Sequence, residues 1–110
     1  MKILVCISHV PDTTSKINFT NNDTEFDKNG VQFVINPYDE FCLTRAMWFK
    51  EKQGAKVTVV NVGGVETETT LRKALAIGAD DAIRININPT DGLLVAKELA
   101  AVVKDGGYDL

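Results

Sequence analysis

Three short apolar segments alternate with three segments of helical spacing along the chain. Residues 3–7 and 56–62 form nearly continuous apolar runs, which predicts strands buried on both faces, as in a parallel sheet covered by helices. Residues 82–87 alternate apolar and polar side chains, so one face of this third strand is expected to be wetter. The order strand, helix, strand, helix, strand, helix predicts an open parallel α/β sheet.

Capping residues and glycines mark the ends of the predicted helices. Asn36 is a preferred N-cap and Pro37 is tolerated at the first helical position, so a helix is expected from there to about residue 53. A second helix is predicted over about 66–77, and a third begins after Thr90 as its cap. Glycines, which commonly end helices, follow the three segments at Gly54, Gly78, Gly106 and Gly107.

Helical spacing also predicts which side chains face the core. In the first helix, Cys42, Ala46 and Phe49 share one face, whereas Phe41 and Trp48 form a second apolar stripe. That stripe either packs partly against its own domain or meets a partner or a further part of the chain. The third helix is expected to turn the following side chains inward: Val95, Ala96, Leu99, Val102 and Val103.

A long polar stretch, residues 8–32, separates the first strand from the first helix. Residues 16–19 and 31–34 alternate apolar and polar side chains, and residues 27–30 are typical of a turn. A structureless loop of this length is uncommon in a compact domain. We therefore expect a small hairpin-like insert over residues 13–33 at the edge of the sheet.

Composition excludes several classes of protein. The chain has 110 residues, 45% hydrophobic and 25% charged, which predicts a single globular domain over residues 1–110. Its net charge is −3 and its Lys and Arg residues are scattered, which argues against nucleic acid as a partner. No apolar run approaches the roughly 18 residues of a membrane span. The apolar run at the N-terminus is too short for a signal peptide, which indicates a cytoplasmic protein.

The cysteines and the histidine form no metal-binding pattern. Cys6 and Cys42 lie far apart in a chain without a secretion signal, so free buried thiols are expected rather than a disulfide. His9 is the single histidine. We therefore expect no metal site.

Ligands of open parallel sheets bind at the carboxyl ends of the strands, so the loops after residues 7, 62 and 87 are candidate binding loops. The glycine patterns of dinucleotide sites and phosphate loops are absent from them. Gly63 and Gly64 precede a helix, where they form either an anion cradle or an ordinary turn.

Two interpretations of the role are open for each of the other polar residues near this edge. His9 and Asp12 are either an acid–base pair or residues of a surface loop. Tyr38 either stacks on a planar ligand or wedges the start of the first helix. No catalytic constellation emerges, so a binding protein is expected rather than an enzyme.

Several segments, taken in order, resemble the electron transfer flavoprotein β subunit. The most specific are Val-Ile-Asn-Pro-Tyr-Asp-Glu at residues 34–40 and Thr-Leu-Arg-Lys-Ala-Leu-Ala-Ile-Gly-Ala-Asp at residues 70–80. The resemblance covers essentially the whole chain. It implies a three-layer α/β/α, Rossmann-like fold of the adenine nucleotide α-hydrolase-like kind.

The resemblance also implies a function, cofactors and partners. The β subunit pairs with an α subunit as a heterodimer that carries FAD. The heterodimer accepts electrons from dehydrogenases, such as acyl-CoA dehydrogenases, and passes them to a membrane quinone oxidoreductase. The β subunit holds AMP, or a second FAD in the electron-bifurcating branch. The alternative is a universal-stress-type ATP-binding domain, which would be colourless and would need no second subunit.

By this similarity, Cys6 lies where a first-strand residue meets the nucleotide, residues 36–39 match a contact segment at a helix start, and Val62 ends the next strand. The implied cofactor-binding residues are Cys6, Ser8, Asn36, Pro37, Tyr38, Asp39, Val62 and Gly63. Ser8 and His9 stand where many members carry basic residues. The phosphate loop and the dehydrogenase-recognition loop of the family would follow residue 110, so the chain is expected to be an N-terminal piece, incomplete at its C-terminus. Such a piece is expected to bind nucleotide poorly and to transfer no electrons by itself.

Overall fold

A computed structural model describes residues 1–12, 18–20, 25–26 and 30–110. Its strands and helices, in chain order, are β1 (Lys2–Cys6), β2 (His9–Pro11), β3 (Phe19–Thr20), β4 (Glu25–Phe26), β5 (Phe33–Ile35), α1 (Pro37–Gln53), β6 (Lys56–Val62), α2 (Glu68–Ile77), β7 (Asp81–Ile85) and α3 (Gly92–Gly106). A 3₁₀ turn, Val65–Thr67, leads into α2.

The main sheet is parallel and has the strand order β1-β6-β7, which confirms the predicted open parallel α/β fold. Val5 pairs with Val59 on one side of the central strand, and Val60 pairs with Ile83 on the other. Every residue of β6 after Lys56 is buried. The continuous apolar run at 56–62 therefore marks the strand that lies between two neighbours and beneath helices on both faces.

The helices divide between the two faces of the sheet. The core that contains Ile3, Val57 and Val59 packs against Leu43 of α1 and Leu71 of α2. Side chains alternate along a strand, so Val60 and Val62 point to the opposite face, where α3 packs on β6. This arrangement is the three-layer α/β/α architecture implied by the resemblance.

The predicted ends of α1 agree with the structure. The Oδ1 atom of Asn36 accepts a hydrogen bond from the backbone N–H of Tyr38 at 3.2 Å, and Pro37 is the first helical residue. Gly54 ends the helix in the left-handed conformation, with φ 69° and ψ 25°. Only glycine adopts this backbone conformation without a steric penalty.

The predicted starts of the other helices are wrong by one or two residues. The cap of α3 is Asp91 rather than Thr90, because the Asp91 Oδ1 accepts a hydrogen bond from the N–H of Leu94 at 2.8 Å. The segment predicted to start α2 at residue 66 is the 3₁₀ turn, and the α-helix begins at Glu68.

Several burial predictions are also wrong. Cys6 and Cys42 are free, as expected, but both are exposed. Ala96 and Val103 of α3 are exposed, and no residue of this helix is fully buried. In β7 the residue types alternate but the burial does not, since Ile83, Arg84 and Ile85 are all half-buried. This strand lies at the margin of the described sheet.

The apolar stripe of α1 lies on the surface of the described chain. Phe41 is 72% exposed and Trp48 is 40% exposed. The guanidinium of Arg45 stacks over the Trp48 ring, with its Cζ atom 4.3 Å from the ring centroid. Trp48 thus packs partly against its own domain, whereas most of Phe41 is exposed. Contact of the stripe with a partner or a further part of the chain stays a prediction.

The polar stretch before α1 contains two antiparallel pairs. His9 pairs with Ile35 and Pro11 with Phe33, so β2 and β5 form a two-stranded ribbon beside the main sheet. β3 pairs with β4. Most of the predicted insert over residues 13–33, including residues 13–17, 21–24 and 27–29, lies outside the described residues.

Residues 108–110 run beside β1 on the side away from β6. The N–H of Leu4 donates to the carbonyl of Leu110 at 2.8 Å, and the N–H of Leu110 donates to the carbonyl of Lys2 at 3.3 Å. This pair of bonds flanks Ile3, which is the pattern of a parallel bridge.

Candidate functional site

A cavity of about 330 Å³ lies at the carboxyl ends of β1 and β6. Its floor is the end of the sheet, one wall is the turn before α2, and α3 covers it from the side. The residues that line it are Cys6, Ile7, Ser8, His9, Phe33, Val60, Asn61, Val62, Gly63, Glu66, Thr67, Asn88, Pro89, Val95 and Leu99. Its volume is at the lower end of the range for small-molecule sites, and its position is where open α/β sheets bind ligands.

Four of the eight predicted cofactor-binding residues line this cavity: Cys6, Ser8, Val62 and Gly63. They come together because two parallel neighbours, β1 and β6, end at the same edge of the sheet. The other four, at the start of α1, do not line it.

Residues at the start of α1 position the cavity wall through the backbone. A carboxylate oxygen of Asp39 accepts a hydrogen bond from the N–H of Ser8 at 2.8 Å. The N–H of Asn36 donates to the carbonyl of Ser8 at 2.9 Å. Both backbone groups of Ser8 are therefore held by the helix start, which fixes the loop that follows β1.

Tyr38 and Pro37 are on the solvent side of this helix start. The Tyr38 side chain is 78% exposed, so it does not wedge the start of α1 against the domain. Pro37 is also exposed and begins the helix. Neither residue reaches the cavity in this chain, and stacking of Tyr38 on a ligand stays a prediction.

Gly63 allows β6 to pass very close to the turn before α2. A Cβ atom at this position would lie 2.5 Å from Cγ2 of Thr67 and 3.0 Å from Oδ1 of Asn61. The Gly63 N–H donates to the carbonyl of Ile85 at 3.0 Å, so this amide is not available to an anion. Of the two readings of the glycine pair, close packing of a strand-to-helix turn therefore explains Gly63 better than an anion cradle does.

His9 lies in β2 and not in a surface loop. Its ring stacks on Phe33 with centroids 4.5 Å apart and an interplanar angle of 7°. Its Nδ1 atom is 2.7 Å from the hydroxyl oxygen of Thr70 in α2. The N–H of Asp12 donates to the carbonyl of Gln32 at 2.8 Å, at the far end of the β2–β5 ribbon. His9 thus connects the ribbon to α2 beside the cavity.

Asn61 is a buried polar residue of the cavity that the sequence reasoning missed. It is 3% exposed, and its Nδ2 atom donates to the carbonyl of Ile7 at 2.9 Å. Its Oδ1 atom has no hydrogen-bond partner in the described part of the chain. A buried acceptor without a partner costs about 1–3 kcal/mol. The signal for it was present, since Asn61 interrupts a run of valines in the most buried strand.

The charged side chains that line the cavity are unfavourable for an anion. Among its described lining residues, Glu66 carries a carboxylate and none is Lys or Arg. The pKa of the Cys6 thiol is raised, first by partial desolvation and then by the charge of Asp39 and the neighbouring Cys42. The thiol therefore stays protonated at neutral pH and is a poor nucleophile. The walls suit an uncharged, partly apolar group.

The described residues contain no group of three or more His, Cys, Asp or Glu side chains placed to hold a metal ion. None of their helices combines the length and the apolar character needed to cross a membrane.

The fold and the position of the cavity define an open parallel α/β domain with a candidate ligand site at its carboxyl edge. Residues 23–110 match the family described as the electron transfer flavoprotein domain. The chain belongs to this family, which confirms the resemblance that the sequence segments indicated.

Curated relatives carry electron-transfer names. The chain is 38% identical over 114 residues to the electron transfer flavoprotein subunit beta of Bacillus subtilis, covering 100% of this chain and 44% of that protein. It is 38% identical over 107 residues to protein FixA of Azotobacter vinelandii, covering 94% and 38% respectively. It is 34% identical over 92 residues to the acryloyl-CoA reductase electron transfer subunit gamma of Anaerotignum propionicum, covering 84% and 34%. The chain thus spans less than half the length of these relatives.

Proposed function

We propose that this chain provides the nucleoside-binding part of an electron transfer flavoprotein β subunit. The observation that supports this most is the cavity at the carboxyl edge, which gathers Cys6, Ser8, Val62 and Gly63 in a chain of this family. Together with an α subunit, the β subunit forms a cytoplasmic FAD-containing carrier. The carrier takes electrons from dehydrogenases, such as acyl-CoA dehydrogenases, and delivers them to a quinone oxidoreductase.

The ligand of this cavity is AMP, or the adenosine part of a second FAD. A nucleoside fits the described walls because valine and leucine side chains offer apolar contact to a base. The phosphate of such a ligand finds no cationic side chain among the described lining residues. The flavin supplies the redox chemistry when it is bound, and the residues described here bind and orient an adenosine group.

The role is that of a carrier and not of an enzyme. The raised pKa of Cys6 keeps this thiol from acting as a nucleophile at neutral pH. The imidazole of His9 is stacked on Phe33 and bonded to Thr70. These groups thus hold the cavity walls in position.

Binding of AMP to the chain tests the proposal. Saturation-transfer NMR with AMP and with FAD detects weak binding, and isothermal titration calorimetry measures the affinity. The variant Val62→Phe fills the cavity and is expected to abolish binding. The matched control Val65→Phe changes a residue that is 66% exposed and is expected to leave binding intact.

Two results contradict the proposal. One is the absence of any binding by AMP or FAD. The other is binding that persists in a folded Val62→Phe variant, which would place the ligand elsewhere. Copurification of a yellow flavin complex with a coexpressed α subunit tests the carrier role separately, and a colourless protein that hydrolyses ATP would exclude it.

A further inference from the structure

The guanidinium of Arg84 connects the two loops that follow β6 and β7. Its Nη1 atom donates to the carbonyl of Gly63 at 3.3 Å and to the Oδ1 atom of Asn86 at 2.9 Å. This nitrogen carries two hydrogens, so it serves both acceptors at once. Gly63 follows β6 and Asn86 follows β7, so one side chain links the two loops.

Both loops line the cavity. The loop after β6 contributes Gly63 and Thr67, and the loop after β7 contributes Asn88 and Pro89. Arg84 itself is not among the described lining residues. An effect of its guanidinium on the shape of the cavity therefore passes through the two loops.

The backbone of Gly63 is held at both of its polar groups. Its N–H donates to the carbonyl of Ile85 at 3.0 Å, and its carbonyl accepts from Arg84. The first contact continues the pairing of β6 with β7, whereas the second requires a side chain. Ser8, in the loop after β1, is likewise held at both backbone groups by the start of α1. Each of these two parts of the cavity wall is thus fixed by residues that do not line the cavity.

The other terminal nitrogen of Arg84 holds the guanidinium in place. Its Nη2 atom is 3.5 Å from Oε1 of Glu68, in the first turn of α2. Arg72 also pairs with Glu68, but its side chain is 77% exposed, whereas that of Arg84 is 22% exposed. A lysine has one nitrogen on a flexible stem, so it cannot reproduce the planar guanidinium that contacts both loops and Glu68.

We propose that Arg84 is a positioning residue of the nucleotide site, whose guanidinium holds the loops after β6 and β7 in the arrangement that binds the adenosine group. This inference rests on the proposed function, since it takes the cavity to hold a nucleoside. The role depends on the geometry of the guanidinium and not on attraction between its charge and a phosphate.

Adenosine and AMP together test this role. Adenosine lacks the phosphate, so a residue that orders the walls affects both ligands alike, whereas a residue that attracts the phosphate affects AMP alone. The variant Arg84→Met keeps an apolar stem and removes the donors. Because hydrogen bonds from a charged group are lost, we expect both affinities, measured by ligand-observed NMR titration, to fall about tenfold. The ratio of the two affinities is expected to stay unchanged.

Further variants separate the link between the loops from the ion pair. Arg84→Lys keeps the charge beside Glu68 and is expected to recover little of the lost affinity. The matched control Arg72→Met removes the exposed partner of Glu68 and is expected to change both affinities by less than about twofold. Asn86→Ala removes one acceptor of the link and is expected to weaken both ligands about threefold.

Two measurements distinguish positioning from a general loss of stability. Thermal unfolding followed by circular dichroism identifies a temperature at which each variant is folded, and the titrations are done there. Amide hydrogen exchange of Asn86 and Asn88, followed by NMR without ligand, is expected to accelerate in Arg84→Met and not in Arg72→Met. Because Asn86 is an exposed residue, Asn86→Ala keeps the inference falsifiable if Arg84→Met does not fold.

The outcomes separate this inference from the function on which it rests. Unchanged affinities for both ligands in folded Arg84→Met overturn the inference and leave the proposed function standing. A loss confined to AMP also overturns it, since Arg84 would then act on the phosphate. An equal loss in Arg72→Met overturns it as well, because the ion pair with Glu68 would then explain the effect. If neither adenosine nor AMP binds the unmodified chain, the inference and the proposed function both fail.

Discussion

Replacing Gly63 by alanine tests how closely the end of β6 packs against the turn before α2. The added Cβ atom would lie 2.5 Å from Cγ2 of Thr67 and 3.2 Å from its hydroxyl oxygen. Carbon atoms in contact are ordinarily about 3.5–4.0 Å apart, so the overlap with Thr67 is about 1 Å. Thr67 is 4% exposed, and its hydroxyl is bonded to the carbonyl of Gly64. Its side chain therefore cannot rotate away without losing a hydrogen bond.

The expected cost of Gly63→Ala follows from these contacts. Overpacking of a buried site costs about 1–3 kcal/mol, and a lost hydrogen bond about 0.5–1.5 kcal/mol. We therefore expect the free energy of unfolding to fall by about 2 kcal/mol. For a domain of this size, that lowers the melting temperature by about 10 °C. Since native domains are stable by about 5–15 kcal/mol, the variant should still fold.

Thermal and urea unfolding, followed by circular dichroism, measure this cost. Gly92→Ala is the matched control, because a Cβ atom at Gly92 would meet no atom within 4 Å and this residue begins α3. It is expected to change the stability by less than about 0.5 kcal/mol. If Gly63→Ala unfolds at the same temperature as Gly92→Ala, the close approach of β6 to the turn is not as described and the reasoning fails.

Three further predictions concern the core, an acid-sensitive contact and a thiol. Leu43 is 1% exposed, so Leu43→Ala is expected to lower the free energy of unfolding in urea by about 2–5 kcal/mol. Leu93 is 66% exposed, so Leu93→Ala should lower it by less than about 0.5 kcal/mol. Equal costs would contradict the described core. The bond from Lys50 lowers the pKa of Asp80, so its stabilisation is present above the usual carboxyl pKa and is lost as the pH falls below about 4. Asp80→Asn should therefore be slightly less stable at pH 7 and lose less stability in acid, and an unchanged pH profile would refute this. Because the pKa of Cys6 is raised, its alkylation by iodoacetamide should be slow at pH 7 and accelerate only at alkaline pH, and rapid alkylation at pH 7 would refute it.

The parts of the fold that the sequence predicts well are set by local chemistry. The start of α1 depends on the Asn36 side chain and on a proline in the first turn, and its end depends on one glycine with a positive φ. The bounds of β6 follow from an apolar run whose burial is complete on both faces. In each case the decisive contacts lie within a few residues along the chain.

The errors arise where distant parts of the chain decide the outcome. Thr90 and Asp91 are both good caps, and only the backbone entering α3 determines that Asp91 reaches the N–H of Leu94. Cys42 has the helical spacing of a core residue, yet it lines a groove between α1 and β1 that Leu110 also lines. Whether such a position is buried depends on what lies at that edge of the sheet, which helical spacing does not encode.

The candidate site divides in the same way. The resemblance implied Cys6 and Val62, and the structure brings both to the cavity because the ends of parallel neighbours meet at one edge of the sheet. Asn36 and Asp39 do not line the cavity; they hydrogen-bond to both backbone groups of Ser8, which does line it. Sequence spacing does not distinguish a residue that contacts a ligand from one that positions the backbone which does.

The side chains that line the cavity limit what it can hold by itself. Among the described lining residues, Glu66 carries a carboxylate, none is Lys or Arg, and Val60, Val62 and Leu99 offer apolar contact. A carboxylate repels a phosphate, whereas apolar side chains favour the flat face of a base. Affinity for a nucleotide then has two separable sources, contacts to the base within these walls and phosphate binding by groups outside them. A chain with these walls alone would therefore bind a nucleotide weakly.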